Sequence, residues 1–311
     1  MEKDSKIFVA GHRGLVGSSI IRKLKQEGYH NIVLKSKSEL DLRNQQDVKD
    51  FFNDEKPEYV FLAAAKVGGI KYNASHPADF IFDNTSIQNN VIDSAYRFGT
   101  KKLQFLGSAC IYPKVTPQPI KEEYLLTGPL EPSNEGYALA KIAGMRMCEY
   151  YKKQYGFNAI SLMPANLYGP NDNFDVAQGH VIPGMINKFF AAMQNGDSSI
   201  ICWGDGSPTR EFLYVDDLAD ACLFLMKNYD SPDFINVGSS DEITIKKLSE
   251  LIRDAVGFTG EIIWDTSLPN GTPRRKMDNS KLTALGWSSP TSFSEGLKNT
   301  IEWYKENKDK K

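Results

Sequence analysis

Apolar residues in this chain come in short compact runs, separated by stretches in which they recur every three or four positions. The runs at 6–10, 31–34, 59–64, 102–106 and 159–163 have strand length. Between them, 18–27, 47–53, 84–98 and 137–155 carry the helical spacing, and Gly28 is placed to stop the first of these helices. Strand alternating with helix means that successive strands are joined by crossovers and lie parallel. The pattern therefore predicts an α/β fold built on a doubly wound, Rossmann-like parallel sheet. Past Gly169 the alternation loosens. Residues 171–181 are polar and read as a loop over a site, 200–203 and 211–215 as short strands, 216–228 as a helix, and 234–237 as the last strand of the main sheet. A helix at 245–256, a strand at 261–264 and a helix near 294–306 complete the pattern.

Composition narrows the class. The 311 residues carry a formal net charge of -2, which gives no electrostatic reason to expect a nucleic acid partner. Four cysteines (Cys110, Cys148, Cys202, Cys222) are far apart, form no metal-binding pair and suit a reducing compartment. With no apolar stretch of membrane length and no leader-like N-terminus, a cytoplasmic location away from membranes is expected. Lys308, Lys310 and Lys311 read as a solvated basic tail.

The first strand runs directly into Gly11-His12-Arg13-Gly14-Leu15-Val16-Gly17. Three glycines at this spacing permit a tight turn, close backbone approach to a pyrophosphate, and packing of the following helix on the strand. The helix N-terminus then attracts phosphate charge. The pattern alone also fits an ordinary strand–helix turn; its place after the first strand favours a dinucleotide site. The second strand ends in Lys35-Ser36-Lys37, with no carboxylate for a ribose diol. Together with Arg13, these cations suit a 2′-phosphate and point to NADPH, while Asp41 falls near the adenine region. Residues 1–169 with 214–238 then form the cofactor domain, and 170–213 with 239–311 a smaller, mixed substrate domain.

Tyr137 and Lys141 lie four positions apart on a helix and share a face. An ammonium there favours the phenolate, and the phenol can give a proton to a carbonyl oxygen as hydride arrives. Ser108, at the end of the fourth strand, can orient that carbonyl.

Longer strings carry a resemblance: AGHRGLVGS (10–18), LAAAKVGGI (62–70), FLGSACIYP (105–113), EPSNEGYALAKIAG (131–144), MPANLYGPNDNF (163–174), HVIP (180–183), REFLYVDD (210–217) and GTPRR (271–275). On these the chain resembles the extended short-chain dehydrogenases/reductases, and among them the GDP-L-fucose synthase family, over nearly its whole length. The resemblance implies NADPH-dependent conversion of GDP-4-keto-6-deoxy-D-mannose to GDP-L-fucose in one active site. Carbons 3 and 5 are inverted first and the 4-keto group is then reduced. It makes Cys110 the base and His180 the acid of inversion, beside Ser108, Tyr137 and Lys141. It lines the cofactor with Leu42, Ala63, Ala64, Leu106, Pro164, Asn166, Leu167 and His180. Lys188, Trp203, Arg210 and Asn270 fall to the nucleotide sugar, Asn270 standing where relatives carry Asp. No metal is implied, and the long helices 84–98 and 137–155 are those that relatives pair into a homodimer.

Three rivals are discriminated by particular residues. A GDP-mannose dehydratase needs an acidic residue beside Cys110, where SACIYP has none. UDP-hexose epimerases usually close the second strand with an acid, where this chain has Lys37. A catalytically silent NADP sensor tends to lose the Tyr or Lys that this chain keeps.

Overall fold

The computed structural model describes residues 1–175, 179–268 and 270–308. The centre of the expected 171–181 loop, and Lys310 and Lys311 of the tail, lie outside the described residues. In chain order the first half contains β1 (Ile7–Ala10), α1 (Leu15–Gln26), β2 (Ile32–Val33), α2 (Gln45–Glu55), β3 (Tyr59–Leu62), α3 (Ile70–Ser75), α4 (Pro77–Arg97), β4 (Lys102–Leu106), α5 (Glu135–Tyr155) and β5 (Ala159–Pro164). Then follow β6 (Asn166–Tyr168), α6 (Val181–Asn195), β7 (Ser199–Trp203), β8 (Thr209–Arg210), β9 (Phe212–Tyr214), α7 (Val215–Asn228) and β10 (Ile235–Val237). Last come β11 (Ile243–Thr244), α8 (Ile245–Val256), β12 (Glu261–Asp265), β13 (Arg274–Arg275), α9 (Ser280–Ala284) and α10 (Phe293–Asn307).

Six strands form one parallel sheet in the order β10-β5-β4-β3-β1-β2. Every residue of β1, β4 and β5 is buried, as expected for strands covered on both faces by crossover helices. The doubly wound sheet read from the sequence is therefore present, with 235–237 as its far edge.

The strand order reverses between β1 and β3, and the carboxyl ends there open a crevice of the kind that binds ligands in such sheets. Around it lie smaller pieces: β7 with β12, the β11-β8-β13 ribbon, and β6 with β9. Two apolar cores result. One joins the large sheet to its helices and takes in Met277, Leu282 and Trp287 from the C-terminal third. The other gathers α6, α8, α10 and β7 around Phe189, Leu248, Ile252 and Ile301.

Two differences from the pattern have physical causes. The helix read as 84–98 begins at Pro77, because Pro at the first helical position with Asp79 in the first turn starts a helix before its apolar periodicity is visible. The strand read as 211–215 is shorter, 212–214, with Val215 opening α7. Arg210 and Phe212 lie in different strands, and Glu211 between them turns a 1 % exposed carboxylate inward. It accepts hydrogen bonds from Met277 N at 2.7 Å, Ser240 N at 2.8 Å and Asn279 Nδ2 at 2.9 Å. Burial pushes the Glu211 carboxyl upward, and these three donors oppose that shift.

Candidate active site

The glycine turn leads from β1 into α1. Gly11 has φ +85°, a conformation that favours glycine, and a side chain there would collide with the Ala64 backbone at 2.7 Å. A Cβ on Gly17 would stand 2.2 Å from Gly11 O. Gly14 differs: a Cβ there meets only Gly11 O, at an ordinary 3.5 Å, so its freedom serves what approaches from outside. Gly14 is also the N-cap of α1 and supplies no side-chain cap, which leaves N–H groups of the first turn for an anion. Leu15 and Val16 form that turn, and His12 sits under Gly17. The turn, the free donors and the open Gly14 fit a dinucleotide pyrophosphate. Gly17→Ala is expected to cost about 1–3 kcal/mol through overpacking, read as a lower thermal midpoint; an unchanged midpoint would contradict this packing.

At the β2 end, Arg13, Lys35 and Lys37 have no carboxylate within ion-pair distance among the described residues. The nearby Glu39 is turned onto Ser36, accepting from its N at 2.8 Å and its Oγ at 2.5 Å. Asp41 is held by Arg43, whose Nη2 lies at 2.6 Å, and that guanidinium lowers the carboxyl to about 2. Its side chain is thus spent on Arg43, and Leu42 continues the same turn. Ala63 and Ala64 follow β3, where Ala63 N donates to Ala10 O.

Four of the expected reaction residues meet at the carboxyl end of β4. Ser108 heads a short 3-10 turn, Ala109–Ile111, and its Oγ accepts from Cys110 N at 3.2 Å. The Ser108 hydroxyl also stands near enough to the Tyr137 phenol to favour its ionised form. Lys141, 4 % exposed, donates from Nζ to Leu106 O at 2.7 Å and lies 5.7 Å from the centre of the Tyr137 ring. The Cys110 thiol is close enough to act electrostatically on both Tyr137 and Lys141.

The titration balance differs from the phenolate expected from the Tyr–Lys spacing. Burial pushes the Tyr137 phenol upward, the Cys110 charge adds to the rise, and only the Ser108 hydroxyl opposes it. Burial likewise lowers the Lys141 ammonium to about 8. Desolvation outweighs the mutual attraction because both groups lie in the same dry corner.

His180 stands apart from this cluster as the N-cap residue of α6, its side chain 55 % exposed, and it makes no hydrogen bond to the cluster among the described residues. Behind it lies Asp172, 3 % exposed, with Oδ1 at 4.0 Å from His180 Nδ1 and Oδ2 buried without a partner. Pro164 ends β5, while Asn166 and Leu167 lie on β6, where Asn166 Nδ2 donates to Glu211 O at 3.1 Å.

The residues expected to hold the nucleotide sugar divide into two groups. Lys188 on α6 donates to Ile201 O on β7, and two residues on the Trp203 ring is 56 % exposed with Lys71 Nζ 5.1 Å from its centre. Asn270 faces the turn after Trp203, its Oδ1 accepting from Asp205 N at 2.8 Å. Arg210 lies beside Arg275 and neither has a carboxylate partner among the described residues; burial and the neighbouring guanidinium both lower the Arg210 cation. Arg275 is anchored by Nη2 to Ala109 O at 2.9 Å, next to Cys110. Two unneutralised guanidiniums side by side call for an anion.

The sequence by itself does not mark Asn134, Asp172 or Arg275. Each sits in a string singled out for its resemblance, and its neighbourhood in space, rather than its spacing, marks it.

The chain is similar to known proteins over its whole length. The model of the NAD dependent epimerase/dehydratase family matches residues 7–238. A putative GDP-L-fucose synthase 2 from Arabidopsis thaliana is 59% identical over 307 residues, covering 99% of this chain and 94% of the relative. A crystal structure of a GDP-L-fucose synthetase from Naegleria fowleri, bound to NADP, superposes with a TM-score of 0.92 at 34% identity, covering 99% and 96% of the two chains. A GDP-6-OMe-4-keto-L-xylo-heptose reductase from C. jejuni superposes at 0.93 with 39% identity, covering 99% of both.

Proposed function

The chain belongs to the NAD dependent epimerase/dehydratase family, among its GDP-L-fucose synthases, and from that premise we infer that it converts GDP-4-keto-6-deoxy-D-mannose to GDP-L-fucose with NADPH. The observation that carries this reading is the meeting of Ser108, Cys110, Tyr137 and Lys141 at the carboxyl end of β4, on the same edge of the sheet as the glycine turn.

The 4-keto group acidifies the hydrogens on carbons 3 and 5. Cys110 takes a proton from each in turn, and His180 returns one to each from the opposite face, both groups exchanging protons with solvent between the two inversions. These inversions are redox-neutral and must come first, because reduction removes the ketone that makes those hydrogens acidic. NADPH, when bound, supplies the hydride to carbon 4. Tyr137 gives its phenolic proton to the carbonyl oxygen, and its raised proton affinity keeps that proton in place until the oxygen gathers charge. Ser108 orients the carbonyl, and Lys141 is positioned by Leu106 O to reach the nicotinamide ribose. The balance is keto sugar, NADPH and one proton going to fucose sugar and NADP+.

The glycine turn takes the pyrophosphate of the cofactor, while Arg13, Lys35 and Lys37 take its 2′-phosphate. Leu42, Ala63, Ala64, Leu106, Pro164, Asn166 and Leu167 line it. Arg210, supported by Arg275, takes the substrate diphosphate, and Lys188, Trp203 and Asn270 form the rim. The division at 169–170, with 214–238 returned to the cofactor domain, follows this separation of tasks. NADPH oxidation that depends on GDP-4-keto-6-deoxy-D-mannose tests the assignment; oxidation at the rate seen without the sugar would overturn it.

Two copies pair through α4 and α5. These helices pack side by side and leave Phe82, Leu139 and Tyr150 exposed, at 67%, 43% and 56%. Scattered exposed apolar residues are ordinary, but three large ones on one helix pair suit an interface. Phe82→Asp with Leu139→Asp is expected to turn a dimer into a monomer in analytical ultracentrifugation; a wild-type monomer would overturn the pairing. Among the described residues, no helix is long and apolar enough to cross a membrane and no cluster of side chains could hold a metal ion. A cytoplasmic location accords with four unpaired cysteines.

A further inference from the structure

Asn134 immediately precedes α5, at a position where asparagine ordinarily caps the helix through its side chain. Here it makes no cap bond, and its backbone (φ -135°, ψ 21°) is not the extended conformation of a capping residue. The amide is turned instead to Cys110, donating from Nδ2 to Sγ at 3.3 Å, while its Oδ1 is buried without a partner. Asn134 closes a 3-10 turn, Pro132–Asn134, that is capped by the Glu131 carboxylate accepting from Ser133 N at 3.3 Å, so its amide is free of capping, aims one N–H at one sulfur and leaves a buried polar atom unpaired. Departures from local preference of this kind gather at functional sites.

We propose that Asn134 is the positioning residue of the epimerase half-reaction, holding the Cys110 sulfur toward the sugar and stabilising the negative charge that gathers on it during proton transfer. This rests on the reading of Cys110 as the base. The amide does not enter the reduction, because Tyr137 and Lys141 are positioned by Ser108 and Leu106. Asn134 therefore separates the two activities of a shared site.

The test uses the full-length protein with Asn134→Ala, Asn134→Asp and Cys110→Ala. Asp has the shape of Asn and caps a helix equally well, but places a carboxylate beside the sulfur. Exchange of deuterium from solvent into carbons 3 and 5 is expected to fall roughly 10–100-fold in Asn134→Ala and further in Asn134→Asp. Alkylation of Cys110 by iodoacetamide should slow in the same order, the other three cysteines being buried, while NADPH affinity is unchanged. A purely structural role gives the reverse order, with Asn134→Asp better than Asn134→Ala, and overturns the proposal, as does exchange at the wild-type rate in both variants. Cys110→Ala keeps the two readings apart. If it retains exchange, the base assignment falls; if it loses exchange while Asn134→Asp does not, only the role of Asn134 falls.

Discussion

Replacing Tyr137 by Phe is expected to slow sugar-dependent NADPH oxidation by about 10²–10⁴-fold, the usual contribution of a positioned general acid. The substitution removes one hydroxyl and leaves the ring, whose edge-on packing against Phe80, 6.2 Å between centres, holds it in place. Fold and cofactor affinity should therefore survive, and deuterium should still enter carbons 3 and 5, since Cys110 and His180 remain. Single-turnover absorbance with preloaded NADPH measures the effect. A loss below tenfold would mean that another group delivers the proton to the carbonyl oxygen.

The complementary result is expected for Cys110→Ala and for His180→Asn. Cys110→Ala should lower deuterium incorporation, and His180→Asn inversion, by about 10²–10⁴-fold while leaving the reductase machinery intact. The keto sugar would then be reduced slowly without complete inversion, and the product would be a stereoisomer of the fucose sugar. Binding of NADPH to Cys110→Ala, followed by fluorescence, is the control, because that change touches neither the glycine turn, nor the β2 cations, nor a residue that lines the cofactor. Wild-type incorporation in Cys110→Ala, or wild-type inversion in His180→Asn, would remove that residue from the inversion step.

The parallel sheet was legible because buried strands and amphipathic helices have different periods, and glycine punctuates their junctions. Thus β1, the glycine turn and α1 could be read together, and the Tyr137–Lys141 face followed from helical spacing alone. Less was legible where a side chain's partner is remote in sequence. Asp41 is taken by Arg43, which also reaches Asp83 on α4. Arg275 meets Cys110's neighbour Ala109 only because β13 pairs with β8.

The direction of the tyrosine shift is hidden from the sequence for a related reason. Spacing reveals that a cation is near a phenol, but not how dry their surroundings are. Desolvation dominated, and it depends on Phe105, Leu106 and the rest of the sheet end closing over Lys141. Asn134 shows the same limit from the other side. Its position before a helix predicts a cap, and only the folded site reveals that the side chain serves a sulfur.

The measurement that reaches the central claim most directly is NMR of the sugar nucleotide formed from GDP-4-keto-6-deoxy-D-mannose and NADPH in D2O. The account predicts GDP-L-fucose carrying deuterium at carbons 3 and 5, with one NADPH consumed per sugar. GDP-6-deoxymannose or its 4-epimer, with protium at both carbons, would leave a simple 4-keto reductase and contradict the epimerase.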